Sequence, residues 1–142
     1  MNDNQENDPL QSLLMDDASS VNRERLASFL RPFVVFDKSS KAANFLPGFQ
    51  LLPTNTAKVE VLLLAAKARS LLFGEKEGLT PGEIIDLGIM APGSVKSSLK
   101  NLYDSSKIRK ENGRYSLPPY RITGVMESNR GKVEEDTPNG KA

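Results

Sequence analysis

Thr80-Pro81-Gly82-Glu83-Ile84-Ile85-Asp86-Leu87-Gly88-Ile89-Met90-Ala91-Pro92 is the stretch that decides the fold of this chain. Thr80 offers a side-chain oxygen to cap a helix. Pro81 suits the first helical position, where its missing N–H would be unbonded anyway, and Glu83 sits three residues beyond the cap, where its carboxylate can return the bond. The pattern predicts a helix that starts at Thr80, carries Ile84, Ile85 and Leu87, and stops at Gly88, which enters the left-handed region without a Cβ clash. Ile89-Met90-Ala91 is then a tight turn, and Pro92 opens a second helix.

That second helix is predicted to run to about Ser106, because Val95, Leu99 and Leu102 recur at i, i+4 and i+7 and form one apolar stripe. The opposite face holds Gly93, Ser97, Lys100, Asn101 and Asp104, flanked by Ser94 and Lys96. Beyond it, residues 108–111 and 114–117 flank Asn112-Gly113, the dipeptide that most readily supplies the two positive φ angles of a type I′ hairpin. In that hairpin Ile108, Tyr115 and Leu117 are expected to face inward, and the cations Arg109, Lys110 and Arg114, which surround its tip, to project outward.

Helix, tight turn, helix and short hairpin in this order resemble the winged helix-turn-helix superfamily of DNA-binding regulators. The resemblance covers residues 56–123 and rests on spacing and capping, so it points to no narrower family. Gly88-Ile89-Met90-Ala91-Pro92-Gly93-Ser94-Val95-Lys96-Ser97-Ser98-Leu99-Lys100-Asn101-Leu102 takes the place of the turn and recognition helix. It implies an α+β, mainly α fold in which helix 92–106 enters a major groove and the hairpin 108–117 is the wing. Ser94, Ser97, Lys100 and Asn101 would then lie nearest the base edges and Lys96 toward phosphate. Arg109, Lys110 and Arg114 would contact phosphates or a minor groove.

At 142 residues, 38% hydrophobic and 26% charged with nine prolines, the chain is expected to be one soluble domain with flexible ends. It has no cysteine and no histidine, which excludes disulfides, thiolate nucleophiles, zinc fingers and histidine acid-base chemistry together. The longest apolar run, residues 61–66, is far short of the ~20 residues of a membrane span, and the start of the chain has no basic lead. The expectation is a cytoplasmic protein, nucleoid-associated when bound, without membrane contact.

The formal net charge of +1 hides an asymmetry. Residues 1–20 hold five acids and no base, whereas residues 91–121 hold Lys96, Lys100, Lys107, Arg109, Lys110, Arg114 and Arg121 against Asp104 and Glu111, a balance of +5. Cations gathered on a helix-and-hairpin unit suit a phosphate backbone. A merely solvated surface is the alternative, since lysine and arginine are common on any exterior.

Residues 1–20 read as a disordered acidic tail in which Asp8-Pro9 opens a short helix carrying Leu10, Leu13, Leu14 and Met15 up to Asp16-Asp17. This segment is either a motif for a protein partner's groove or a tail that docks back on its own domain or frays. Residues 21–55 read as an extension packed on the domain: a helix over 22–30 with Leu26, Phe29 and Leu30 inward, a strand over 33–36, a Pro47-Gly48 turn and a second strand over 49–52.

Residues 56–73 form the first helix of the domain, apolar nearly all round, so it must be covered on more than one side. The cover is either the 80–117 unit with the extension, or a second subunit. A homodimer through residues 61–72 and 33–52 is therefore expected. Residues 74–78 read as a solvent loop, and residues 124–142 as a disordered tail.

Neither Gly-x-Gly-x-x-Gly nor Gly-x4-Gly-Lys-Ser/Thr occurs, no nucleophile has a base, and the acids lack metal-ligand spacing. No enzymatic activity, cofactor or metal is expected. Two functions stand: a duplex-DNA-binding regulator of transcription or of plasmid or phage maintenance, and a winged helix used for protein contact, because one fold hosts both.

Overall fold

A computed structural model describes residues 9–13 and 22–134. Of the acidic N-terminal stretch, only a 3₁₀ turn at Pro9–Leu13 is among them; the expected helix through Met15 and the end of the tail, 135–142, lie outside the described residues. In chain order the further elements are α1 (Arg23–Leu30), β1 (Val34–Phe36), β2 (Ala43–Phe45), α2 (Pro47–Gln50), α3 (Asn55–Phe73), α4 (Pro81–Asp86), α5 (Pro92–Asp104), β3 (Arg109–Glu111), β4 (Arg114–Ser116), a 3₁₀ turn (Pro119–Arg121) and α6 (Ile122–Glu134). The described chain is mainly helical, with two antiparallel two-stranded pairs, β1–β2 and β3–β4.

α3 is the axis of the core. Thr54 caps it, its Oγ1 accepting the Ala57 N–H at 3.1 Å, and Gly74 closes it in the left-handed region. Val59, Val61, Leu63 and Leu64 are fully buried, because α1, α5, α6 and β4 all pack around this helix. Each buried methylene stabilises by about 0.8 kcal/mol, so an all-round apolar helix becomes favourable only when enclosed in this way. The enclosure is internal to one chain. Residues 61–65 therefore offer nothing to a second subunit; toward the C-terminal end of α3, Leu72 is exposed and Ala66, Ala68, Leu71 and Phe73 are half-buried.

Part of that enclosure corrects the expectation of a structureless tail from residue 124. α6 continues to Glu134, and Ile122, Val125 and Met126 are buried. They recur at i, i+3 and i+4, one face of a helix, and Asn129 extends that face, its Nδ2 donating to the Val125 carbonyl at 2.9 Å. The sparse apolar content of the tail had concealed a stripe sufficient to cover α3.

The extension also differs. β1 pairs with β2, Val34 opposite Phe45 and Phe36 opposite Ala43, and residues 47–50 are the short helix α2 in place of a Pro-Gly turn leading to a strand over 49–52. Leu46 is extended and Pro47 follows at the first helical position, where its fixed φ favours helix. This delivers Phe49 into the core, its ring 4.6 Å from that of Phe45. Gly48 is needed for close approach: a Cβ there would stand 2.4 Å from the Pro32 carbonyl oxygen. Gly48→Ala is expected to lower stability by about 1–3 kcal/mol through overpacking against backbone. A thermal melt within a degree of wild type would show that the Pro32 turn is free to move aside.

The link between α3 and α4, expected as a solvent loop, is tied down. Lys67 on α3 is only 4% exposed at its side chain and pairs at 3.0 Å with Glu77, 18% exposed. An ammonium in that position requires a countercharge, and the link supplies it.

Candidate nucleic-acid interface

α4 begins as its sequence dictates: Thr80 Oγ1 accepts the Glu83 N–H at 3.1 Å, and Glu83 Oε1 accepts the Thr80 N–H at 3.0 Å, a complete capping box. α5 buries Val95, Leu99 and Leu102 against the core. It stops slightly before the expected boundary because Ser106 turns left-handed (φ 61°) and the Lys107 N–H returns to the Leu102 carbonyl at 2.9 Å. The hairpin pairs Arg109 with Ser116 and Glu111 with Arg114, and its tip has positive φ at Asn112 (53°) and Gly113 (76°), the backbone of a type I′ turn. Leu79 and Tyr115 exchange backbone bonds of 3.0 and 2.8 Å, which stitches the start of the unit to β4. Ile108, Tyr115 and Leu117 are buried.

Lys96, Ser97, Lys100 and Asn101 are exposed on α5, and Ser94 is half-buried near its start. No side chain caps the first turn, whose N-cap is Ala91. Ser97 Oγ donates to the Ser94 carbonyl at 3.4 Å, whereas the Asn101 carboxamide has no partner among the described residues. Lys100 is paired within the helix, Nζ to Asp104 Oδ2 at 2.9 Å. The Asp104 carboxylate, through that hydrogen bond first and its charge second, holds the Lys100 ammonium above its ordinary pKa. On the hairpin, Arg109 and Lys110 are exposed; Arg109 Nε donates to Ser116 Oγ at 3.3 Å, and the Lys110 ammonium lies over the Tyr115 ring at 5.3 Å.

Arg114 departs from its expected place. Its guanidinium grips both carboxylate oxygens of Glu83 at 3.0 and 3.2 Å and donates to the Gly78 carbonyl at 2.6 Å. It clamps β4 to α4 and is not presented outward like Arg109 and Lys110. Bidentate geometry favours arginine in this role. The Thr80 backbone N–H, and after it Arg114, holds the Glu83 carboxyl below its ordinary pKa. The stability this contributes is present above the unfolded carboxylate's pKa and is lost as pH falls through the lower folded value. Arg121, counted with the basic group, reaches inward to Glu60 on α3 at 2.6 Å. Neither Arg114 nor Arg121 therefore adds free charge to an external face.

The remaining cations form one surface. Tyr103 and Asp104 border both a cleft containing Lys96 and Lys100 and a groove containing Arg109 and Lys110, so the outer face of α5 runs into the hairpin without a break. Lys107 is exposed beside them, an addition visible in the sequence only as part of a charge count. The partner of Arg114 lies 31 residues away and Glu83 already had a local role, so no sequence signal marked that pair. Among the described residues no group of three or more carboxylates is placed to hold a metal ion, and no helix is long and apolar enough to cross a membrane. Comparisons with protein-family models, curated protein sequences and solved structures find no match for this chain.

Proposed function

We propose that this protein is a winged helix-turn-helix that binds duplex DNA, as a regulator of transcription or of plasmid or phage maintenance. α5 enters the major groove, the β3–β4 hairpin is the wing, and the protein works in the cytoplasm on the nucleoid. The observation that carries this reading is the uncovered small-polar and cationic face of α5, continuous with Arg109 and Lys110. Asn101 can pair with adenine through two bonds, Lys100 can reach guanine on leaving Asp104, and Lys96 and the hairpin cations neutralise phosphate. A second reading, the same unit docked on a protein, is favoured by the pairing of Lys100 with Asp104 and of Arg114 with Glu83, which reduces the charge available for DNA.

Salt dependence separates the two. Wild-type affinity for duplex DNA is expected to fall linearly with salt on a log–log plot, each phosphate contact contributing about 0.9 to the slope. Replacing both Arg109 and Lys110 with alanine is expected to lower that slope by up to about 2 and to weaken cognate and random duplexes alike. Arg114→Ala is expected to leave the slope alone. Binding that does not depend on salt, or a slope that the double variant does not move, would favour the protein-contact reading.

A further inference from the structure

We infer that two copies of this chain associate by exchanging N-terminal arms, Leu10 and Leu13 of each copy seated in an apolar groove of the other. The groove lies between α1, β1 and the end of α3, has a volume of about 410 Å³, and is walled by Leu26, Leu30, Val34, Ala68, Leu71 and Leu72. Apolar surface remains uncovered around it: Leu72 is 59% exposed and Val35 49%. The arm has the matching defect, with Leu10 65% and Leu13 76% exposed in the Pro9–Leu13 turn. A lone copy thus carries two uncovered apolar surfaces, one convex and one concave.

Charge supports the same pairing. Asp8, Asp16 and Asp17 flank the apolar part of the arm, while Arg23 and Arg31 stand at the groove. Neither arginine has an acidic partner among the described residues, although Arg25 of the same helix is paired with Glu127 at 3.2 Å. Like charge without a partner at the rim of an apolar groove favours an acidic, apolar occupant over a neutral one. Exchange around a two-fold axis satisfies both copies with one kind of contact made twice and closes the assembly at two. The interface uses neither α5 nor the hairpin, so it stands whether or not the DNA reading does.

The absence of cysteine makes the test direct. Full-length Leu13→Cys and Leu72→Cys chains, prepared separately, mixed and oxidised, are expected to give a disulfide-linked pair joining one chain of each kind. In parallel, sedimentation is expected to find wild type dimeric, and both the Leu10→Asp/Leu13→Asp variant and the Leu72→Asp variant monomeric at the same concentration. An equimolar mixture of the two variants retains one good arm and one good groove, and is expected to recover dimer that neither forms alone; a misfolded variant cannot complement in this way. The proposal is overturned by a wild-type chain that stays monomeric, by a dimer that tolerates both variants, or by a Leu13→Cys/Leu72→Cys chain whose disulfide forms within a monomer.

Discussion

Glu77→Ala is expected to cost about 3–5 kcal/mol of folding stability, the usual consequence of removing one partner of a buried ion pair. Lys67 projects from the middle of the buried axis helix, and its ammonium meets only the Glu77 carboxylate, at 3.0 Å, among the described acids. Alanine at 77 leaves that ammonium without a countercharge beside the core, which is unfavourable. Total stabilities of domains this size are about 5–15 kcal/mol, so the variant should be substantially unfolded in mild denaturant. The paired variant Lys67→Met/Glu77→Leu should recover most of the loss, because apolar groups of similar volume need no countercharge. Urea melts of Lys67→Met, Glu77→Leu and the pair measure this coupling. A Glu77→Ala loss below about 1 kcal/mol, the range of solvated pairs, would show that water reaches Lys67 and that the α3–α4 link is not held by it.

The largest effect on binding is expected at Asn101. Its carboxamide is exposed on α5, and a two-bond contact with adenine is worth about 1–3 kcal/mol of discrimination. Asn101→Ala should therefore weaken a selected site by about 5- to 150-fold while leaving random duplex almost unchanged. Lys100→Ala should do less, because part of what Lys100 gains from DNA is offset by breaking its 2.9 Å bond to Asp104. Lys96→Ala should weaken every duplex equally, as a phosphate contact does. Equal affinity of wild type and Asn101→Ala for selected and random sites would mean that the outer face of α5 does not read bases.

Legibility in the sequence followed the range of the interaction. The capping box at Thr80, the stripe of α5 and the Asn112-Gly113 turn are set by neighbours within four residues, and each appears where the spacing puts it. The exposed positions Lys96, Ser97, Lys100 and Asn101 follow from the same helical period. Failures came where a partner is distant: Glu83 for Arg114, Glu77 for Lys67, Glu60 for Arg121. They came also where the apolar signal is thin, as in α6, whose face rests on Ile122, Val125 and Met126 among polar residues and glycines. Residues 47–50 form a helix and not the expected turn because Pro-Gly serves both a turn and a helix start, and burial of Phe49 makes the choice.

Backbone amide chemical-shift mapping of the full chain, titrated with a short duplex at low salt, tests the central claim most directly, since it locates contact without assuming any residue. The predicted result is a set of shifts over residues 92–101 and 109–113, with α1, β1 and the Leu72 groove unaffected. Shifts confined to that groove, or none at saturating duplex, would contradict it.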